Sequence, residues 1–177
     1  KLGGEAATIL RVEGFAPSVR HRSAQLQALL GSAGVIDLLH ETQSRQLWRE
    51  VRDVLPFVKK GDQRAVWRVS MAPMQGWRMV DELRRHAGAD AYYDWQGGLI
   101  WLRMEAEPEA HVLRALIAKY GGGHATLVRA LEHVRANTDV FEPQSAALAA
   151  LSRRLKLQFD PENILNPGRI YPEQAGV

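Results

Sequence analysis

The residues with the most specific local chemistry lie near the end of the chain, between positions 159 and 173. Asp160 before a proline is typical of a helix N-cap with proline at the first helical position, so a short turn is predicted to begin there. Asn166 precedes a second proline, which favours extended backbone. Gly168 permits a positive φ, and Arg169 then carries a permanent cation whose direction is set by the turn. The spacing predicts a closing loop that presents polar groups and one cation.

The other residues that could take part in chemistry form no recognisable catalytic or metal-binding set. The chain has six histidines and no cysteine. None of the histidines has the spacing of a metal ligand pair, and the lack of cysteine excludes disulfides and thiolate catalysis within this chain. His124 begins a predicted strand after three glycines and could lie on a functional side of a sheet. Asp94, between Tyr93 and Trp95, is either a buried polar group or a residue that accepts backbone hydrogen bonds at a turn.

The composition is that of an ordinary globular protein. The chain has 177 residues, of which 46% are hydrophobic and 24% charged, and its net charge is +3. Positive and negative residues are interspersed and no basic run exceeds two residues, which argues against a nucleic-acid surface. No apolar stretch approaches the roughly 20 residues of a membrane helix, and no signal peptide is evident. The chain begins with Lys1, as a fragment might be expected to do, and a cytoplasmic location is expected.

The hydrophobic periodicity predicts an α+β fold in two related halves. Residues 6–56 follow a βαβα order, with strands over 8–14 and 35–39 and helices that begin near Pro17 and Thr42. Residues 65–130 follow a βαββαβ order, which is the ferredoxin-like arrangement. Its strands are predicted at 65–71, 91–95, 99–104 and 124–129, and its helices at 74–87 and 108–120. We expect one antiparallel sheet with helices on one face, in which the first half is a partial second repeat.

The remaining chain is predicted to cross from this sheet to a final helix and the closing loop. Residues 131–142 form the crossing segment, and the last helix extends to about residue 158. Its apolar positions recur at helical spacing and are expected to face a core, and the pair Ile164 and Leu165 is expected to pin the loop to that core. The inward-facing positions of the helix are Leu148, Leu151, Leu155 and Phe159.

Two functions that involve no redox chemistry are compatible with this pattern. A ferredoxin-like sheet with exposed aromatic residues can bind RNA by base stacking, but no RNA-recognition sequence motif is present, so nucleic acid is not an expected partner. The other reading is a stand-alone ferredoxin-like module that mediates binding or dimerisation.

Several stretches of the chain resemble a known family. The tail resembles the C-terminal signature of FAD-linked oxidases of the vanillyl-alcohol-oxidase type, in which a Phe-Asp-Pro…Ile-Leu-Asn-Pro-Gly-Arg/Lys run returns to the flavin domain. Within that family the chain is similar to the FAD-binding subunits of bacterial glycolate oxidases, over nearly its whole length. The stretches that carry this likeness are Arg11–Phe15, Leu47–Asp53, Tyr93–Trp101, Gly122–Leu127 and the tail.

The resemblance covers only the C-terminal half of such a subunit. It implies that residues 1–142 are a cap domain on the substrate side, and that residues 143–177 are a helix and return segment that meets an N-terminal flavin domain. The glycine-rich phosphate loop of that domain is not found here, because Gly121–Gly123 follows a helix and precedes a strand. The resemblance therefore implies an FAD cofactor in the full-length subunit, and no bound FAD or activity for the fragment alone.

The resemblance also assigns roles to three residues. Asn166 and Arg169 would lie at the junction with FAD. Arg52 matches the Leu-Trp-x-x-Arg pattern that supplies an arginine to a substrate carboxylate in related 2-hydroxyacid dehydrogenases, and its guanidinium could donate two parallel hydrogen bonds to it. Equally, Arg52 could be a solvated arginine paired with Asp53 or Glu50. The relatives' metal-binding histidines are missing from the Asp94–Trp101 hairpin, so catalytic residues are not assigned and no metal is expected.

The activity and partners implied by the resemblance are those of a multi-subunit oxidoreductase. Such a complex oxidises glycolate to the 2-oxoacid through flavin. Its expected components, beyond the absent flavin domain, are a paralogous flavin subunit and an iron–sulfur subunit. The complex would be cytoplasmic or peripheral to the inner membrane. The surface that faces the flavin domain is expected to be apolar, and the fragment would then self-associate through it.

Overall fold

The computed structural model describes residues 6–171, and the chain divides into two compact units, Lys1–Pro56 and Phe57–Val177. The first unit contains two helices, α1 (Ala16–Leu30) and α2 (Glu41–Arg52). Both helices were predicted, and a proline in the first turn of α1 agrees with the predicted start. Arg11 lies over the Trp48 ring, 5.9 Å from its centroid.

The two strands predicted in the first unit are not formed. Residues 8–13 and 35–40 have no regular secondary structure, and Val35 is 96% exposed. A strand needs a neighbour for its backbone donors and acceptors, and the sheet in the described residues consists of four strands that all come from the second unit. The predictions of a partial second repeat and of one sheet shared by both halves are therefore wrong.

The second unit has the predicted βαββαβ order and the ferredoxin-like topology. All four strands are antiparallel to their neighbours, and their order across the sheet is β2-β3-β1-β4. Three shorter helical pieces are the 3-10 turns Leu55–Phe57 and Trp95–Gly97 and the helix α5 (Glu132–Ala136). The main elements are β1 (Val66–Met71), α3 (Pro73–His86), β2 (Ala89–Asp94), β3 (Leu99–Met104), α4 (Ala110–Lys119), β4 (Gly123–Arg129) and α6 (Ala146–Phe159).

The core lies between one face of this sheet and the helices α3 and α4. Alternate residues of the strands point to the helices, so burial has a period of two in β1 and β4. Trp67 is fully buried at the centre, and its indole N–H donates to the carbonyl oxygen of Pro108 at 2.8 Å. The largest fully buried side chains are Trp67, Met79, Leu83, Ile100, Leu102, Met104, Leu113 and Leu127.

The tight connection between β2 and β3 confirms the predicted hairpin. The Asp94 carboxylate accepts a hydrogen bond from the backbone N–H of Trp95 at 2.7 Å. Gln96 and Gly97 have positive φ values of 58° and 95°. Asp94 is therefore the turn-stabilising residue that one of the two sequence readings described.

The outer edge of β4 is covered by the segment that follows α5. The Leu127 N–H donates to the Val140 carbonyl oxygen at 2.8 Å, and the Ala125 N–H donates to the Glu142 carboxylate at 3.1 Å. Arg114 of α4 holds the same segment by donating to the Phe141 carbonyl oxygen at 2.9 Å. The predicted crossing segment thus protects one edge of the sheet.

The last helix is present but does not face a core. None of its residues is buried, and Phe159 is 85% exposed. The prediction that its four apolar positions face inward is therefore wrong for the described residues. None of the helices between residues 6 and 171 combines the length and the apolarity of a membrane span.

Candidate functional site

The closing loop is organised around the carboxylate of Asp160. This side chain is 4% exposed and accepts hydrogen bonds from the backbone N–H groups of Ile164 and Leu165, at 3.0 and 2.9 Å. Lys156, one helical turn earlier, forms an ion pair with Asp160 and donates to the carbonyl oxygen of Leu165 at 2.8 Å. The hydrogen bond from Lys156 holds the pKa of Asp160 below its usual value, and the two backbone donors act in the same direction.

This geometry extends the predicted role of Asp160. The predicted short turn does begin at Asp160, since the Asn163 N–H donates to the Asp160 carbonyl oxygen at 3.1 Å. The Asp160 residue also ends α6, and its carboxylate binds the backbone four and five residues later. Ile164 and Leu165 were expected to pin the loop to a core, and both side chains are instead exposed, Ile164 at 75%. The loop is thus held by polar contacts to its own helix, and its apolar side chains point to solvent.

The Asn166–Arg169 segment is a β-turn. The N–H of Arg169 donates to the carbonyl oxygen of Asn166 at 3.3 Å. Pro167 occupies the second position and Gly168, with φ of 66°, the third, which is the residue pattern of a type II turn. Asn166 has φ of 49° and is therefore not in the extended conformation expected before a proline. The turn brings Asn166 and Arg169 together at the surface.

Arg52 lies in the other unit, in the last turn of α2. Its side chain is exposed and donates to both carboxylate oxygens of Asp53, at 2.7 and 3.1 Å. This hydrogen bond raises the pKa of Arg52 and lowers that of Asp53. The structure therefore shows the surface ion pair that the alternative reading described, and a carboxylate ligand would have to displace Asp53 from the guanidinium.

The sheet face opposite α3 and α4 carries a second group of polar residues. At one end of this helix-free face the segment before β1 covers the strands. Arg103 of β3 is buried there, with its guanidinium 5.0 Å from the centroid of the Phe57 ring, and it forms ion pairs with Asp62 and Asp90. Hydrogen bonds from Arg64 hold the pKa of Asp62 far below its usual value. At this end the charges of Arg103, Asp62 and Asp90 are paired.

The other end of the helix-free face is open, and its polar side chains are half-buried or exposed to solvent. Arg68 of β1 is half-buried and lies 5.6 Å from the centroid of the Trp95 ring. Its strand neighbours in register are Trp101 and Thr126. Ser70, next on the same face, is opposite His124. The open end thus presents a cation, two hydroxyls and an imidazole between indole rings, and the apolar character expected of the surface toward the flavin domain stays a prediction.

The sequence analysis did not identify Arg68 as a site residue or Asp160 as the partner of Lys156, although a sequence pattern indicates each of them. Arg68 lies between the core residues Trp67 and Val69, so strand alternation places it on the opposite face. Lys156 and Asp160 are four residues apart, which is the spacing of an ion pair on a helix. The alternation indicates which face carries Arg68, but only the sheet order indicates that Thr126 lies beside it.

The described residues contain no complete cradle for a dinucleotide. Gly121–Gly123 leads from α4 into β4, and a Cβ atom on Gly123 would lie 2.4 Å from the Ser70 carbonyl oxygen, so this glycine allows strand packing. Within residues 6–171 no group of three histidine, aspartate or glutamate side chains could hold a metal ion. The turn exposes the Asn166 amide and the Arg169 guanidinium, which are groups that can donate hydrogen bonds to an anion.

Comparison with known proteins identifies the class of this tail. Residues 140–170 match the family described as FAD linked oxidases, C-terminal domain. This match covers α6 and the Asp160-centred loop, so this part of the chain is similar to the C-terminal domain of the FAD-linked oxidases.

A more particular likeness extends over most of the chain. Over 137 residues, which are 75% of this chain, the sequence is 34% identical to glycolate oxidase subunit GlcE of Escherichia coli (strain K12). The aligned part is 33% of that protein, so the chain spans about a third of the length of this curated relative. No solved structure matches the chain at a significant level. The resemblance to this type of subunit is confirmed.

Proposed function

We propose that this chain is the C-terminal part of the FAD-binding subunit of a glycolate oxidase complex, which oxidises a 2-hydroxyacid such as glycolate to the 2-oxoacid. The observation that carries the proposal is the 34% identity to a glycolate oxidase subunit over 75% of the chain. It is supported by the match of the closing loop to the FAD-linked oxidases. The alternative, a ferredoxin-like module without a redox role, explains the sheet but not the specific tail.

In this proposal the chain contributes contacts to a flavin site that is completed elsewhere. Residues 1–142 form the cap domain and residues 143–177 the return segment. Asn166 and Arg169 lie at the junction with FAD, where the exposed turn presents the Asn166 side-chain amide and the Arg169 guanidinium to an anionic group. Bound FAD would accept the hydride from the substrate carbon. Because the described residues lack a dinucleotide cradle, we expect the 177-residue chain alone to be inactive.

The exposed apolar side of α6 supports the assignment of a return segment. Leu148, Leu151 and Leu155 are about half exposed and recur at helical spacing, and Phe159 extends the row. Exposed apolar patches of this kind mark surfaces that bind another protein segment. The flavin-binding domain of the intact subunit is the proposed cover.

Arg52 is the proposed substrate-side arginine from the cap. Its pairing with Asp53 in the structure does not prevent this role, since an exposed ion pair is weak and can exchange for a substrate carboxylate. In the intact protein, Arg52→Met should lower kcat/KM for glycolate. An unchanged kcat/KM would remove the role.

The relative is named a subunit, and we propose that the intact protein also works in a complex. The proposed partners are a paralogous flavin subunit and an iron–sulfur subunit, in the cytoplasm or at the inner membrane surface. Self-association of the fragment through the helix-free sheet face stays a prediction, and the polar residues on that face give it little driving force.

The flavin content of the longer protein is the direct test. We expect the purified full-length subunit to be yellow, with flavin absorbance bands and about one FAD per chain, and the 177-residue chain to be colourless. A colourless full-length subunit would contradict the proposed function. Flavin bound by the 177-residue chain would contradict the proposal that the flavin site is completed by a separate flavin-binding domain.

A further inference from the structure

The open end of the helix-free sheet face has the chemistry of a site for a small carboxylate. Among the described arginines that are buried or half-buried, Arg64, Arg103, Arg114 and Arg129 each donate to a carboxylate or a carbonyl oxygen. Arg68 is half-buried on the same sheet and has no such acceptor in the described part of the chain. Its nitrogen atoms are not among the buried groups that lack a partner, so they are accessible, and an anionic ligand could form charge-assisted hydrogen bonds with them.

The strand register surrounds Arg68 with groups that can bind the same ligand. Thr126 on β4 is directly opposite Arg68, and Ser70 is two residues further along β1 on the same face. Side chains at directly opposite positions lie about 5 Å apart at Cβ, and diagonal ones about 7–8 Å, so the guanidinium and both hydroxyls can reach one molecule of a few atoms. In the described structure neither hydroxyl has a hydrogen-bond partner from another side chain.

Aromatic walls and a close strand contact fix the shape of this end. The guanidinium of Arg68 packs on Trp95, and Trp101 lies beside Arg68 on β3. Gly123 brings the start of β4 so close to Ser70 that a side chain there would collide with the Ser70 carbonyl oxygen. His124 is therefore held next to Ser70. The half-buried position of Arg68 strengthens its charge-assisted hydrogen bonds relative to those of a fully exposed arginine.

Asp94, a carboxylate at this end of the face, does not neutralise Arg68 in the described residues. Asp94 of β2 lies opposite Leu99 and two strands away from β1, and it accepts its hydrogen bond from the Trp95 N–H. The ion pairs of the covered end involve Asp62 and Asp90 with Arg64 and Arg103. Arg68 thus has no ion pair within residues 6–171.

We infer that Arg68 binds the carboxylate of a small hydroxy- or oxo-acid, with the Ser70 and Thr126 hydroxyls as additional donors. The guanidinium forms two parallel hydrogen bonds with the carboxylate, and His124 lies within reach of a neighbouring hydroxyl or oxo group. This inference rests on the proposed function for the identity of the acid. The inference differs from the proposed function in placing the carboxylate of the acid on the helix-free sheet face, whether or not Arg52 also contributes.

The test is binding of oxalate, a stable dicarboxylate of the size of glycolate, to the full-length subunit by titration calorimetry. We expect Arg68→Met to weaken oxalate binding roughly 10- to 100-fold, because a charge-assisted bidentate pair is lost. Arg68→Lys should give an intermediate loss of oxalate affinity, since the positive charge remains but the two parallel N–H donors of the guanidinium are removed. The matched control is Arg78→Met, which removes another arginine that stacks on a tryptophan, on α3.

The outcomes separate this inference from the proposed function. If Arg68→Met and Arg68→Lys, folded by circular dichroism and with unchanged flavin absorbance, bind oxalate as the unaltered protein does, the inference is overturned and the proposed function stands. If the unaltered protein has no flavin but binds oxalate in an Arg68-dependent manner, the proposed function fails and the site stands. Equal weakening by Arg68→Met and Arg78→Met would also overturn the inference, since it would indicate a general effect of charge.

Discussion

Asp160 shows how one buried carboxylate orders the residues that follow the last helix. It accepts from two consecutive backbone N–H groups and pairs with Lys156, so the direction of the closing turn depends on it. Asp160→Asn keeps the shape of the side chain but removes the charge and one acceptor. We expect roughly tenfold faster amide hydrogen exchange at Ile164 and Leu165, measured by exchange mass spectrometry. Glu162→Gln, which alters an exposed carboxylate of the same loop, should leave that exchange unchanged.

The pH dependence of this loop follows from the lowered pKa of Asp160. The hydrogen bond from Lys156 is the main cause, so the folded-state pKa lies below the unfolded value of about 3.9. The carboxylate therefore stabilises the loop above about pH 4, and this contribution is lost as the pH falls through the folded-state pKa. Protection of the Ile164 and Leu165 amides should be constant between pH 7 and pH 5 and should decrease in stronger acid. A decrease between pH 7 and pH 5 would indicate another titrating group.

At the scale of elements, the contact between β1 and β4 depends on a glycine. A Cβ atom on Gly123 would lie 2.4 Å from the Ser70 carbonyl oxygen, and its φ of 149° is one that other residues rarely adopt. Gly123→Ala should therefore lower the free energy of unfolding by more than about 1 kcal/mol, measured by urea denaturation. The matched control is Gly121→Ala, at φ of 99° with no atom within 4 Å of the added Cβ.

The difference between these two glycines isolates the steric contact from the backbone conformation. Both replacements place alanine at a positive φ, but only the one at Gly123 also forces the two strands apart. Equal losses of stability would show that the close approach of β4 to Ser70 contributes nothing. The test also bears on the open end of the sheet face, because that contact positions His124.

At the scale of the whole molecule, a complete core coexists with an uncovered helix. Leu113 of α4 is fully buried, whereas Leu151 of α6 is half exposed. Leu151→Ala should change the unfolding free energy of the 177-residue chain by less than about 0.5 kcal/mol. In the full-length subunit we expect a loss of about 1–3 kcal/mol, because the proposed flavin domain packs on this side chain.

Leu113→Ala is the control, with an expected loss of about 2–5 kcal/mol in both proteins. Thermal or denaturant unfolding measures the change in stability for each of the two substitutions, Leu151→Ala and Leu113→Ala, in the 177-residue chain and in the full-length subunit. If Leu151→Ala is equally mild in the chain and in the full-length subunit, α6 does not pack on the flavin domain and the return segment is assigned incorrectly.

The sequence by itself determined the elements of the second unit and the class of the tail. Alternation in the strands, helical spacing around Leu83 and Leu113, and the glycine turn before Leu99 are local patterns, and each produced the predicted element. The Asn-Pro-Gly-Arg run is likewise a local turn, and it carried the family resemblance that the comparisons confirmed.

Only the tertiary structure decided which strands are paired and which polar groups are left without partners. Residues 8–14 and 35–39 have strand-like sequences but no neighbour in the described sheet, and pairing is a long-range property that propensity does not contain. In the same way, Arg68 and Arg103 both lie on the helix-free face, and the sequence does not distinguish them. The fold places Asp62 and Asp90 beside Arg103, and within residues 6–171 it stacks Arg68 on Trp95 with no carboxylate partner. Burial and charge pairing depend on residues that are distant in the chain.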